Sequence, residues 1–381
     1  MAPDRCTLSC TTVAVPLGGR VIVAGDLFLS AFPTRASTSA SRELATAIEG
    51  ITGAGVVVVA GNLFELSDQP AEELRAALRA HSDLVEVATT WSRQDDHRLI
   101  LLPGTRDRAI CYEPATMAAV AAAGFEVALS ADLEVETRSG TQVVRVEPGW
   151  RYDALNSFGD PTDPRDTPLG HHAVYDLFPA LKSSKTGWLE GIDRLADPAG
   201  LPRFVTSRLT YRRLGRYAWW LLIPIAVAVL ARLPEIALFG ERSIHVAHDL
   251  RDVIISLALG LLAAAILLGF VNHRVWAGPG SALLGPPGDR ANDSARDAAR
   301  RLVAEGYAGL VTGHTLRAEL VKVGTGFFAN TGACAEVVDE RRAVLGMPPV
   351  FVRDEQISFV EIDAGGGLSP DSAEGPAAAG A

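Results

Sequence analysis

The chain has 381 residues, 48% of them hydrophobic, and a formal net charge of −10, with a mean hydropathy of +0.18. That length suits two domains or one large domain with an insertion, and it can bury a sizeable core. The acidic balance argues against a general nucleic-acid binder, which needs a basic face, and the high hydropathy directs attention to membrane segments.

Residues 1–19 read as an irregular lead-in. Val21 to Ala24 is a short apolar run ending in Gly25-Asp26, a buried strand opening into a loop. A helix follows over 41–50. Val56 to Ala60 is a second such strand, ending in Gly61-Asn62-Leu63-Phe64-Glu65, with a helix over 70–90. Arg98 to Pro103 is a third, ending in Gly104-Thr105-Arg106-Asp107, with a helix over 114–123. Strands are expected at 125–129, 132–137 and 141–147. The strands have continuous apolar cores, as strands covered on both faces do, and their loops lie at carboxyl ends, where such sheets gather functional groups.

Residues 148–210 are mixed, rich in Pro, Gly and Asp. The composition then shifts: Tyr217 to Ala231 and the nineteen residues Val253 to Val271 carry no charge. Nineteen helical residues span about 28 Å, near the roughly 30 Å hydrocarbon core. The expectation is a transmembrane helical hairpin over 214–274, with Trp219 and Trp220 in an interfacial belt. A Gly/Pro-rich linker over 278–292, a helix over 293–306, a strand Leu310 to Thr312 ending in Gly313-His314-Thr315-Leu316, closing strands at 319–329 and 357–363, and a disordered tail over 364–381 complete the chain. Cys6, Cys10, Cys111 and Cys334 make neither a CxxC pair nor a zinc-ribbon spacing, and read as unpaired thiols in a reducing compartment. No cleaved signal peptide is expected from the first twenty residues.

Five blocks, 21–29, 56–66, 101–107, 146–153 and 311–316, fall in the order, spacing and strand context of one known pattern. Together, with Phe328-Ala329-Asn330-Thr331-Gly332 behind them, they resemble the calcineurin-like metallophosphoesterases. Leu63-Phe64-Glu65 and the later helical insertion lean toward the UDP-diacylglucosamine hydrolase branch. The resemblance implies an α/β fold, a four-layer α/β/β/α sandwich split into 20–213 and 275–363 by the inserted hairpin. It also implies two cations that activate a water and clamp phosphoryl oxygens. The ligands the family uses are mostly replaced. Asp26 and His314 stand at ligand positions as vestiges, but the first-block His is Phe28, the bridging Asp is Asn62, and the third-block Asn and His are Thr105 and Arg106. Pro148 and Trp150 occupy the fourth-block His positions, and Leu316 the last.

The sequence therefore points to a catalytically impaired, membrane-anchored pseudoenzyme acting as a binding or scaffold module, with no catalytic residue, metal or cofactor expected. Its residual pocket is Asp26, Asn62, Glu65, Thr105, Arg106, Asp107 and His314. Arg106 either holds a phosphate or other anion by a forked contact or is paired with Asp107 or Glu65. The competing reading is an active phosphoesterase with an altered or single-metal Mn or Zn site, acting on a phosphate ester or diphosphate of a lipid or nucleotide-sugar. His171 and His172, and His245 and His248, are weaker metal candidates. Expected partners are the lipid bilayer and an unknown protein or phosphate-containing ligand, with no nucleic acid. Arg212, Arg213 and Arg216 before the first apolar segment and His273 and Arg274 after the second favour the cytoplasmic side of the cell membrane for the soluble domain and both termini, in a two-pass arrangement.

Overall fold

The computed structural model describes residues 8–178, 189–196, 200–218, 251–252, 254–255, 258–262, 266, 291–341, 343 and 348–365. In chain order the main elements are β1 (Cys10–Val15), β2 (Arg20–Ala24), α1 (Arg35–Glu49), β3 (Gly55–Ala60), α2 (Pro70–Ala80), α3 (Ser82–Trp91), β4 (His97–Leu102), α4 (Pro114–Ala122), β5 (Glu126–Val127), β6 (Ser130–Thr137) and β7 (Gly140–Glu147). Then come α5 (Leu201–Ala218), α6 (Asp293–Ala304), β8 (Gly309–Thr312), β9 (Glu319–Val323), β10 (Gly326–Asn330), β11 (Ala335–Arg341), β12 (Val350–Gln356) and β13 (Phe359–Asp363).

The architecture is mixed α/β with mixed sheets. One sheet has the order β13-β2-β3-β4-β5, with β2 to β5 parallel and β13 antiparallel to β2. The other runs β1-β6-β7-β8-β10-β9 and mixes parallel and antiparallel pairs. Alternation along each strand sets the layers. Val21, Val23, Val56, Val58, Ile100 and Leu102 meet Leu133, Val144, Val146, Val311 and Phe327 of the second sheet in one core. The opposite faces of β2 to β4, with Ile22, Val57, Val59 and Leu101, pack on Leu44 and Ile48 of α1, Leu74 of α2 and Leu84 of α3. Across the molecule, Ala295, Ala298 and Ala299 of α6 cover Leu310, Val323 and Phe328. Burial on both faces is why β2, β3 and β4 are continuous apolar runs in the sequence.

Local chemistry sets the helix ends. Thr34 caps α1 by accepting from Ser37 N while the Ser37 hydroxyl accepts from Thr34 N. The helix therefore begins at Arg35 rather than near 41. Pro70 and Pro114 stand in the first turns of α2 and α4. The single helix expected over 70–90 breaks at His81, whose backbone (φ −116°, ψ 40°) leaves the helical region.

Several expectations are corrected. The lead-in contains β1, an edge strand parallel to β6 that buries only Val13 and Val15 deeply. Residues 148–210 hold most of α5, which packs Phe204 edge-on against Phe351 of the β11–β12 ribbon at 5.1 Å. Ser207 and Tyr211 anchor it further by donating to the carbonyls of Pro349 and Pro348 at 2.5 and 2.7 Å.

The transmembrane hairpin is overturned. Among the described residues no helix is long and apolar enough to cross a membrane. The helix that runs into the expected hairpin, α5, carries Arg203, Arg208, Arg212, Arg213 and Arg216, charges that a spanning helix excludes. The two-pass placement in the cell membrane, with its cytoplasmic domain and termini, falls with the hairpin. Residues 219–250 and 267–290, with His245 and His248, lie outside the described residues, as do Cys6 and the tail from 366. Cys10, Cys111 and Cys334 are free thiols.

Candidate functional site

The loops after β2, β3 and β4 of one sheet and after β7 and β8 of the other meet at a single point, with Asp26 at its centre. Its side chain is completely buried. Oδ1 accepts from Asn62 Nδ2 at 2.6 Å, and Oδ2 accepts from the His314 backbone N–H at 2.7 Å. Asn62 Oδ1 in turn accepts from Arg106 N at 2.7 Å. A backbone N–H only donates, so this contact fixes the amide orientation and turns its N–H face to Asp26. Burial pushes the Asp26 carboxyl above the ordinary range, while the His314 charge, the Asn62 hydrogen bond and the Arg194 charge pull it back.

The backbone is bent to make these contacts. Asp26, Phe28 and His314 are the three non-glycine residues at positive φ among the described residues, at 54°, 51° and 76°. Left-handed backbone at such residues is uncommon, costs about 1–3 kcal/mol each and clusters at functional sites. Close approach explains Gly313: a Cβ there would lie 1.9 Å from the Ala60 carbonyl oxygen.

The remaining sequence candidates separate into two groups. Glu65, Thr105 and Arg106 lie on the outer side. Arg106 Nη1 stands 3.5 Å from Glu65 Oε1, and Glu65 Oε2 accepts from Arg194 Nη2 at 2.7 Å. Asp107 is instead turned inward, accepting from Gly104 N at 2.7 Å and Phe64 N at 3.2 Å. It ties the third-block loop to the second. Burial pushes its carboxyl up to about 7 against those backbone donors. Arg106 thus pairs with Glu65, not with Asp107.

Several positions at which the resemblance puts ligands are occupied by packing residues. Phe28 and Leu316 join one apolar cluster with Ala196, Ala333, Ala335 and Val337. Trp150 is buried and donates Nε1–H to the Pro103 carbonyl at 3.2 Å, stitching the fourth loop to the third. His171 packs on Tyr175 with ring centres 4.5 Å apart, and His172 is held by Asp176 at 2.9 Å and Thr167 at 3.2 Å.

Sequence reasoning missed Asp153 and Arg194. His314 Nε2 bonds Asp153 Oδ2 at 3.0 Å. Burial opposes the Asp153 charge, but His314, Asn156 and the Leu155 N–H outweigh it and hold the carboxyl at about 2. Asp153 sits inside the fourth block, so its neighbourhood was visible. Arg194 comes from a Gly-Ile-Asp-Arg turn in the mixed region and carries no motif. Asn330, in the quoted segment after the fifth block, supports the His314 loop through Gly313 O at 3.1 Å and Thr315 Oγ1 at 2.8 Å.

A cavity of about 180 Å³ opens beside this network, lined by polar Asn62, Thr105, Arg106 and His314 and by apolar Phe28, Leu155, Phe178 and Leu195. Two divalent metals do not fit the residues present. Both Asp26 oxygens are engaged by N–H donors, the Asn62 amide presents hydrogens where a bridging ligand presents oxygens, and Phe28 and Leu316 offer no donor atom. Among the described residues no three His, Cys, Asp or Glu side chains form a metal-holding group. Neither a protein-family model nor a curated protein matches the chain.

Proposed function

We propose that the chain is a metallophosphoesterase-like binding module, a pseudoenzyme whose cleft takes a phosphate-containing ligand without metals and without hydrolysing it. The single observation behind this reading is the Asn62 amide. By donating to Asp26 at 2.6 Å and accepting from Arg106 N at 2.7 Å, it holds three loops together with hydrogen bonds. In a two-metal phosphoesterase a bridging carboxylate and its cations hold the corresponding place. Without a metal, water keeps a pKa near 15.7, and an always-charged guanidinium such as Arg106 is a poor general acid.

The test is a calorimetric titration of the unmutated protein with Mn²⁺ and Zn²⁺, beside a turnover assay on a generic phosphodiester. No stoichiometric two-metal binding and no metal-dependent turnover are expected. Binding of two ions per chain, with turnover that Asp26→Ala abolishes, would replace this reading with an active enzyme.

A further inference from the structure

We propose that Arg194 is the resident cation of this site, standing where the resemblance calls for metal, and that with Arg106 it forms a receptor for a phosphate group whose place Glu65 holds. The inference rests on the metal-free reading of the cleft and adds the residues and the ligand chemistry.

Arg194 reaches the site from outside the five sequence blocks, on the short turn Ile192–Arg194. Its guanidinium carbon lies 3.9 Å from the centre of the Phe28 ring. Phe28 occupies a position where the family pattern has a ligand histidine, and an aromatic face attracts a planar cation. The same charge acts on buried Asp26. A positive group has thus been carried, by another part of the chain, to the side chains that flank the old metal position.

Its bonding is incomplete. Arg194 Nη2 donates to Glu65 at 2.7 Å, but Nη1 is buried with no hydrogen-bond partner among the described residues. A buried charged donor left without an acceptor is costly, and a ligand oxygen would complete it. Glu65 spreads one carboxylate over two guanidiniums, Arg194 and Arg106. That leaves one net positive charge in the trio. The two cations are well buried, at 17% and 11% side-chain exposure, whereas Glu65 is 32% exposed. Fixed cations with a more exposed carboxylate between them describe a displaceable plug. Phosphate suits the exchange, because its several oxygens satisfy two guanidinium forks at once. The cavity alongside, walled by Arg106, Thr105 and the chain neighbours of Arg194, leaves room for the group that carries the phosphate.

The test uses the full chain in excess EDTA, titrated with inorganic phosphate and with phenyl phosphate, and follows heat of binding and the melting midpoint. Both probes should bind. Phenyl phosphate should bind more tightly because Phe28, Leu155 and Phe178 line the cavity, which marks a phosphate ester rather than free phosphate as the ligand; equal affinity marks free phosphate and leaves the receptor standing. Arg194→Gln and Arg106→Gln should each weaken binding by about tenfold or more. Glu65→Gln should strengthen it severalfold, an outcome that a purely structural Glu65 would not give, and this variant decides the matter if Arg194→Gln does not fold. Unchanged affinity in Arg194→Gln, or weaker binding in Glu65→Gln, overturns the inference. So does the absence of binding with and without Mn²⁺, which leaves the metal-free reading untouched. Phosphate binding that appears only once Mn²⁺ is added overturns both.

Discussion

Replacing Asn62 by Asp tests the central hydrogen bond most directly. The new side chain keeps an acceptor for Arg106 N but turns an oxygen toward Asp26 Oδ1, now 2.6 Å from the amide nitrogen. Both groups are buried, Asp26 at 0% and Asn62 at 3% exposure. Two carboxylates in such contact cannot both ionise, so the folded pair retains a proton and titrates as a unit with a raised pKa. In the unfolded chain each has a pKa of about 3.9. A folded pKa raised above the unfolded one destabilises as pH climbs between the two values and levels off above the higher. If the shared proton is held two to three units longer, the cost at pH 7.5 is about 3–4 kcal/mol, vanishing below about pH 4, where both states carry the proton. Urea unfolding of the parent and Asn62→Asp at half-unit intervals from pH 4 to 8 measures it. The difference between the two should open steadily from the acid end. A variant as stable as the parent at pH 7.5, or a deficit independent of pH, would refute the assignment of Asn62 as the amide that replaces a shared charge.

Two further substitutions probe the flanking carboxylates. Asp107→Asn offers one acceptor where two backbone N–H groups need one each, so it should cost about 1–3 kcal/mol in urea melts near pH 4, a deficit that narrows as pH rises. Because burial raises the Asp107 carboxyl to about 7, the parent should lose stability as pH rises from about 4 to about 7, and the variant should lack that slope. Asp153→Asn has the opposite sign. Its carboxyl is held at about 2, so the charge stabilises above about pH 4, and the variant should lie about 2 kcal/mol below the parent at pH 7 with the gap closing as pH falls toward 2, read by thermal melts across that range.

How much of this could be seen in the sequence follows from which forces write continuous patterns. Strands β2, β3 and β4 are buried on both faces, so Val-Ile-Val-Ala, Val-Val-Val-Val-Ala and Leu-Ile-Leu-Leu announce them, and the loop residues Asp26, Asn62 and Arg106 follow at once. Strand β1 is an edge with two deeply buried valines, an exposed Ala14 between them and Thr11 and Thr12 before them, so its apolar signal is too thin to separate from a loop. The β11–β12 ribbon alternates with charges such as Asp339, Glu340, Arg353 and Asp354 and gives little more. The charge-free runs Tyr217–Ala231 and Val253–Val271 read as a hairpin because hydropathy registers composition, whereas the described helix that enters the first run, α5, is rich in arginine. Asp107 was placed in the pocket by its position after Arg106. Backbone N–H groups of Gly104 and Phe64, invisible in a one-letter string, turn it inward.

The replaced positions also make sense as a set. Introducing one metal ligand into this packed and hydrogen-bonded centre would be unfavourable on its own, since each neighbour already holds a role that depends on the residues present. Phe28 serves as a platform for Arg194 and packs in one cluster with Leu316. Asn62 supplies the donor that keeps Asp26 satisfied, and Trp150 supplies the donor that Pro103 needs. His314 has given its ring to Asp153 and its backbone N–H to Asp26. A site that had merely decayed would leave buried polar atoms orphaned around Asp26, each costing about 1–3 kcal/mol. Here the polar atoms at the centre are paired, and the orphan beside them, Arg194 Nη1, is buried on a guanidinium whose other nitrogen is bound to the Glu65 carboxylate. That distribution is what the proposed binding role needs: a centre whose polar atoms are paired, with the unmet bonding capacity beside an ion pair that a ligand would have to displace.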